Sequence, residues 1–275
     1  MRTFGNAFVV GIIAAAISGG AYAQWPSFKS TRVPRTPDGK PVLDGPTPRT
    51  PDGKPDLSGV WQATNAAAAS GTGPAAAAPG TRPNQFWNIG STLKDGLPFT
   101  AWGAEVRKQR GAENNKDNPD AHCLPVGLMQ LDTHPQPRKI IQTPNELVIL
   151  YEAQAGVRQI FTDGRSLPKD DVQPWWYAYS IGHWEADTLV VETIGFRDDV
   201  WLDVEGSPLT HTGKMTERFH RPNYGTLLVD VTVEDQKAYT KPWSVTITNR
   251  IMPDAELMEF ICNENERDTP HFVGK

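Results

Sequence analysis

From Lys139 onward, apolar and polar residues alternate with a period of two, in short runs broken by turn residues. The runs at 139–143, 146–152, 157–162, 177–184, 188–195, 214–221, 226–234, 243–252 and 256–262 read as strands, and 57–62 adds one upstream. No helical pattern of ~10–15 residues separates them, which disfavours parallel βαβ units. The expectation is a mainly all-β chain: an antiparallel up-and-down β-barrel, or a strongly curved sheet, of nine to ten strands. Closure into a barrel removes two exposed edges. One short helix is expected over 100–110, capped by Thr100, with Arg107, Lys108 and Arg110 in its last turns.

Strand parity assigns faces. In the last hairpin, a turn at Pro253–Glu256 sets Met252 opposite Leu257 and pairs Ile251 with Met258, Asn249 with Phe260 and Ile247 with Cys262. That face is the core side, and Arg250 with Glu259 forms a surface ion pair on the other. In the hairpin 214–234, Leu227, Val229, Val231 and Val233 mark the apolar face. A three-residue turn with Gly225 left-handed sets Met215, Glu217 and Phe219 against it; a four-residue turn sets Thr216, Arg218 and His220 there instead. The first register is preferred because it buries Met215 and Phe219. It leaves Glu217 as a buried carboxylate, which requires either an arginine partner or a raised pKa. The hairpin 177–195 turns at Ala186-Asp187 and places Tyr179, His183 and Glu192 on one face as a polar patch.

The first residues change the picture. Arg2, the apolar stretch Phe8 to Ile17 and Ala21-Tyr22-Ala23 form a cleavable export signal over 1–23, too short for a membrane span. Pro34-Arg35-Thr36-Pro37-Asp38-Gly39-Lys40-Pro41 then recurs as Pro48-Arg49-Thr50-Pro51-Asp52-Gly53-Lys54-Pro55. Proline removes donors and fixes φ, so 24–56 reads as a disordered linker ahead of a single barrel domain over 57–275. The span 63–99, with its alanine-rich core, reads as a flexible insertion. Sixteen of the 24 prolines lie in residues 24–138, so the proline excess belongs to the arm and insertion rather than to the barrel.

Composition adds limits. Apolar residues at 38% support one substantial core, and a net charge of -5 without a basic stripe argues against nucleic acid as a partner. Cys123 and Cys262 are an even pair in an exported chain and read as a disulfide. Zinc is disfavoured by scattered histidines and the lack of CxxC or HExxH, and no cofactor motif occurs. The acidic run 198–205 suits calcium in its oxygen content but not in its spacing. Trp175, Trp176, Tyr177 and Tyr179 form an aromatic cluster able to stack on a flat ligand or to plug the barrel.

Gly59-Val60-Trp61 is similar to the Gly-x-Trp of the first strand in lipocalin-like barrels. More of the chain resembles a large family of uncharacterised secreted bacterial proteins. The resemblance rests on Thr50-Pro51-Asp52-Gly53-Lys54-Pro55-Asp56-Leu57-Ser58-Gly59-Val60-Trp61, on Gly182 to Thr193, on Thr216-Glu217-Arg218-Phe219 and on Cys262 to Glu266. It implies export and fold, not an activity; where that family has Gly-Asp in the central turn, this chain has Ala186-Asp187. Three readings follow for a periplasmic or secreted protein. One binds a small apolar or aromatic ligand in a barrel cavity lined by Trp175, Trp176, Tyr179, His183, Glu192 and Arg218. Another is a lyase, isomerase or hydrolase using His211 and Glu217, with Asp203 orienting His211. The third is an envelope interaction protein with a filled barrel.

Overall fold

The computed structural model describes residues 29–64, 88–169, 172–262 and 264. The expected export signal, most of the expected insertion and the tail beyond 264 lie outside the described residues. The alternating runs become β1 (Gly59–Thr64), β2 (Arg138–Gln142), β3 (Glu146–Tyr151), β4 (Val157–Phe161), β5 (Tyr179–Glu185), β6 (Thr188–Ile194), β7 (Lys214–Asn223), β8 (Thr226–Glu234) and β9 (Trp243–Ile251). The helix α1 spans Ala101–Ala112, with Thr100 Oγ1 accepting from Gly103 N–H at 3.1 Å, and a short helix α2 spans Leu128–Thr133.

The strands pair in chain order, and β9 returns to β1 to close the barrel. Every neighbouring pair is antiparallel except β4–β5, which is parallel. Geometry requires this. Around a closed ring the number of antiparallel neighbours must be even, so nine strands need at least one parallel pair. An uninterrupted antiparallel meander is therefore corrected to a mixed barrel.

The expected last hairpin is also corrected. Residues 256–262 form no strand; β9 is flanked by β8 and β1, with Ile251 opposite Trp61 and Arg250 opposite Gln62. Arg250 donates to Thr226 Oγ1 (2.6 Å) in place of the expected pair with Glu259. After Pro253 the chain crosses the outside of the barrel. Lys139 Nζ meets Glu256 there (2.7 Å), and Met258 N–H donates to Glu152 (3.0 Å). The disulfide Cys123–Cys262 is present, with a Cα separation of 5.6 Å. It fastens this outer tail to the turn after Pro119–His122 rather than joining a strand to the barrel.

The interior is filled. Trp61, Ile140, Ile149, Ile160, Leu189, Val191, Met215, Phe219, Val231 and Ile247 are all buried on the inner face. α2 is buried at every position and plugs the end where β2 begins, its Asp132 reaching Arg138 (2.6 Å) and Tyr151 (3.0 Å). The space left between Asp132, Arg138, Glu217 and Asn249 is 10 Å³, about one water molecule.

The opposite end is covered by the arm, which is ordered from Lys29 to Asp56 rather than a disordered linker. Both copies of the repeat fold alike. Thr36 N–H and Thr50 N–H each donate to the lysine carbonyl four residues on (2.9 Å), and Gly39 and Gly53 take φ +85 and +82 to complete the turns. Arg35 and Arg49 each cap their own glycine carbonyl (3.0 and 2.9 Å) and reach a carboxylate of the barrel end, Asp254 and Asp187 respectively (2.5 and 2.6 Å).

Candidate functional site

The hairpin β7–β8 follows the preferred inner face, with Met215 opposite Val233, Glu217 opposite Val231 and Phe219 opposite Val229. Its turn differs: two residues follow Asn223, with a bulge between His220 and Asn223, and Gly225 is not left-handed. Glu217 is fully buried, and Arg158 from β4 meets it with both terminal nitrogens, Nη1 at 3.0 Å from Oε1 and Nη2 on Oε2. Arg158 also donates to Ser180 Oγ from Nε (3.3 Å) and to Thr193 Oγ1 from Nη2 (3.1 Å), and these two hydroxyls are 3.0 Å apart. Burial pushes the Glu217 carboxyl upward, against the pull of the guanidinium. With both carboxylate oxygens held by Arg158, the pair is a structural clamp rather than a proton-transfer site.

The other proposed catalytic residues do not join it. His211 is exposed on the loop before β7, where its Nδ1 lies 3.0 Å from Asp198 Oδ2 and its N–H donates to Oδ1 (2.8 Å). Asp203 does not orient His211; it is buried in its own turn, accepting from Ser207 N–H (3.0 Å) and Ser207 Oγ (2.7 Å). Burial pushes the Asp203 carboxyl upward, and the Ser207 bonds pull it back. The carboxylates of the acidic run are thus shared among separate partners, with Asp199 held by Arg197 (2.5 Å) and Glu205 by Arg107.

The polar patch on β5 and β6 faces outward, because the inner positions of β5 belong to Ser180 and Gly182. His183 is exposed and 3.3 Å from Glu185, Glu192 pairs with Lys214 (2.5 Å), and Arg218 with Glu185 (2.8 Å). None of them lines a cavity inside the barrel. The reason is one of register: Leu189, Val191 and Thr193 take the inner face of β6, which turns Glu192 to the outside.

Trp175, Trp176 and Tyr179 do come together, on the outer wall. They line a groove of 210 Å³ with Val157, Gln159, Phe161 and Tyr177. Trp175 is 50% exposed and meets Tyr179 edge-on, centroids 5.7 Å apart; Phe161 lies 5.6 Å from Tyr179. Two arginines sit on the rim rings. Arg165 lies 3.8 Å above Phe161 and donates to Tyr179 OH (3.3 Å), and Arg197 lies 4.1 Å above Trp176. Each is held in place by an aspartate two residues away, Asp163 and Asp199, whose carboxyls are kept low by these bonds. The groove overlies the parallel seam, where β4 and β5 pair only through Ile160–Ser180 and Phe161–Ile181.

Arg158, Phe161, Val157 and Gln159 were not among the residues singled out from sequence. Arg158 shares parity with the inward Ile160, so the same alternation that buries Glu217 points to its partner. Compared with known proteins, the chain matches no family model, no curated protein and no solved structure.

Proposed function

We propose that this is an exported binding protein that takes a small apolar or aromatic group in the outer aromatic groove, not inside the barrel. The observation that carries this reading is a contrast of space. The space at the buried Glu217 clamp is 10 Å³, while the groove offers 210 Å³ beside the half-exposed Trp175. A groove of that size suits one ring rather than a large cofactor. Exposed aromatic rings in a concave site supply flat apolar faces, and the paired arginines supply a polar rim. Export, and kinship with the secreted family that the motifs resemble, are part of this reading. The disulfide supports an oxidising compartment, and no helix among the described residues is long and apolar enough to cross a membrane.

Isothermal titration with p-cresol tests the site. Binding is expected, weakened about fivefold to tenfold by Trp175→Ala, the range a single stacked ring contributes. No heat of binding, or equal affinity in the variant, would refute the reading. Cell fractionation tests export: the chain is expected in the periplasm or medium, with both cysteines protected from alkylation until reduced.

A further inference from the structure

The seam also carries a polar feature. On the β3–β4 ladder, Tyr151 N–H donates to Gly156 C=O and Thr162 N–H to Asn145 C=O, both at 2.8 Å. Even-numbered residues of β4 therefore turn their main-chain groups toward β3, and odd-numbered ones turn theirs toward β5. Phe161 finds its rungs there. Val157 N–H, Val157 C=O and Gln159 N–H do not, and they have no main-chain partner among the described residues. The chain across the seam is engaged elsewhere. Trp175 N–H donates to Gly195 C=O (3.0 Å), and Ala178 N–H folds back onto Trp175 C=O (3.3 Å) with Ala178 at φ +55. Val157 is 50% exposed and Gln159 is exposed, so this short free edge borders the aromatic groove on its open side.

We propose that the occupant of the groove is an extended peptide segment whose main chain ladders onto Val157 and Gln159 while an aromatic or large apolar side chain stacks on Trp175. The inference rests on the aromatic-group reading above and names what presents that group. A free strand edge is a template for strand addition, in which main-chain bonds supply affinity and a side-chain pocket supplies choice. Register supports the match. Val157, Gln159 and Phe161 project from the outer face, so a strand beside them projects alternate side chains on that same face, where Trp175 and Tyr179 stand.

The test compares three probes by isothermal titration against the full chain: p-cresol, acetyl-Val-Tyr-Val-amide, and the same tripeptide methylated on its amide nitrogens. The tripeptide is expected to bind about tenfold more tightly than p-cresol, and methylation to remove that gain. Trp175→Ala is expected to weaken both unmethylated probes. A tripeptide no tighter than p-cresol, or one unaffected by methylation, overturns the strand-addition inference while the aromatic site stands. Failure of both p-cresol and tripeptide to bind overturns both.

Discussion

Glu217 and Arg158 face each other inside the barrel with side chains at most 1% exposed. Removing one partner leaves a buried charge uncompensated, so Arg158→Met is expected to cost about 3–5 kcal/mol in urea unfolding. Arg158→Met combined with Glu217→Leu is expected to recover most of that loss, because two apolar side chains need no partner. The carboxylate was legible from the parity of a single hairpin. Its arginine was not singled out, because 59 residues separate the two and only barrel closure brings β4 across from β7. His134 gives a pH prediction. Burial pushes its imidazole down from 6.5 to about 4, so the unfolded chain takes up its proton at a higher pH than the folded one. Stability is therefore expected to be full above pH 6.5 and to fall by about 3 kcal/mol as pH drops toward 4. His134→Gln should flatten that part of the curve in denaturant titrations at several pH values; an unchanged slope would assign it to other groups. Ala186 holds φ +50 in the β5–β6 turn, where a Cβ is unfavourable. Ala186→Gly is expected to raise stability by about 1 kcal/mol.

Elements with a period-two pattern and a neighbour in sequence were the most legible. Eight of the nine runs from Lys139 onward, and the upstream run 57–62, become strands within a residue or two of expectation, and Thr100 caps α1 as read. The run 256–262 has the same pattern but no ladder. Its would-be partner edge on β9 is taken by β1, a pairing across the whole chain that local alternation does not encode. What holds that segment instead is covalent. The Cys123–Cys262 bridge closes a loop with a sequence separation of 139, for which the chain-entropy account gives about 5 kcal/mol. Cys123→Ser with Cys262→Ser is expected to lower stability by that order while leaving the β-sheet signal in circular dichroism intact. A loss of sheet content would mean that the tail is required for closure. The aromatic groove was legible as a cluster of residues but not as a place. Its position follows from the parallel seam, and the seam follows from the odd strand count.

At the scale of the molecule, the two mouths of the barrel are closed by different means. α2 is buried in one and tied in by Asp132, while the repeat arm lies across the other, held by two arginine ion pairs and by bonds at Leu43, Gly45 and Thr47. With both mouths covered and the interior occupied by side chains, the site proposed for a ligand is the groove on the outer wall. The arm also shows why proline-rich sequence misled. Proline denies the segment a ladder of its own, but each Asp-Gly turn is short enough to be closed by its own threonine and arginine, and the arm docks through the two arginine tips together with the Leu43, Gly45 and Thr47 bonds to the β7–β8 end. Exposed ion pairs of this kind contribute little to global stability. Arg35→Ala with Arg49→Ala is therefore expected to leave the unfolding midpoint almost unchanged yet speed proteolytic cleavage within residues 29–56 severalfold, since local opening rather than global unfolding governs access. Limited proteolysis read by intact mass separates the outcomes. Faster cleavage confined to the arm identifies the two arginines as its fastening, whereas an unchanged rate assigns that role to the contacts of Leu43 and Gly45 with Gly225 and Tyr224, whose N–H groups donate to those carbonyls at 2.7 and 2.8 Å.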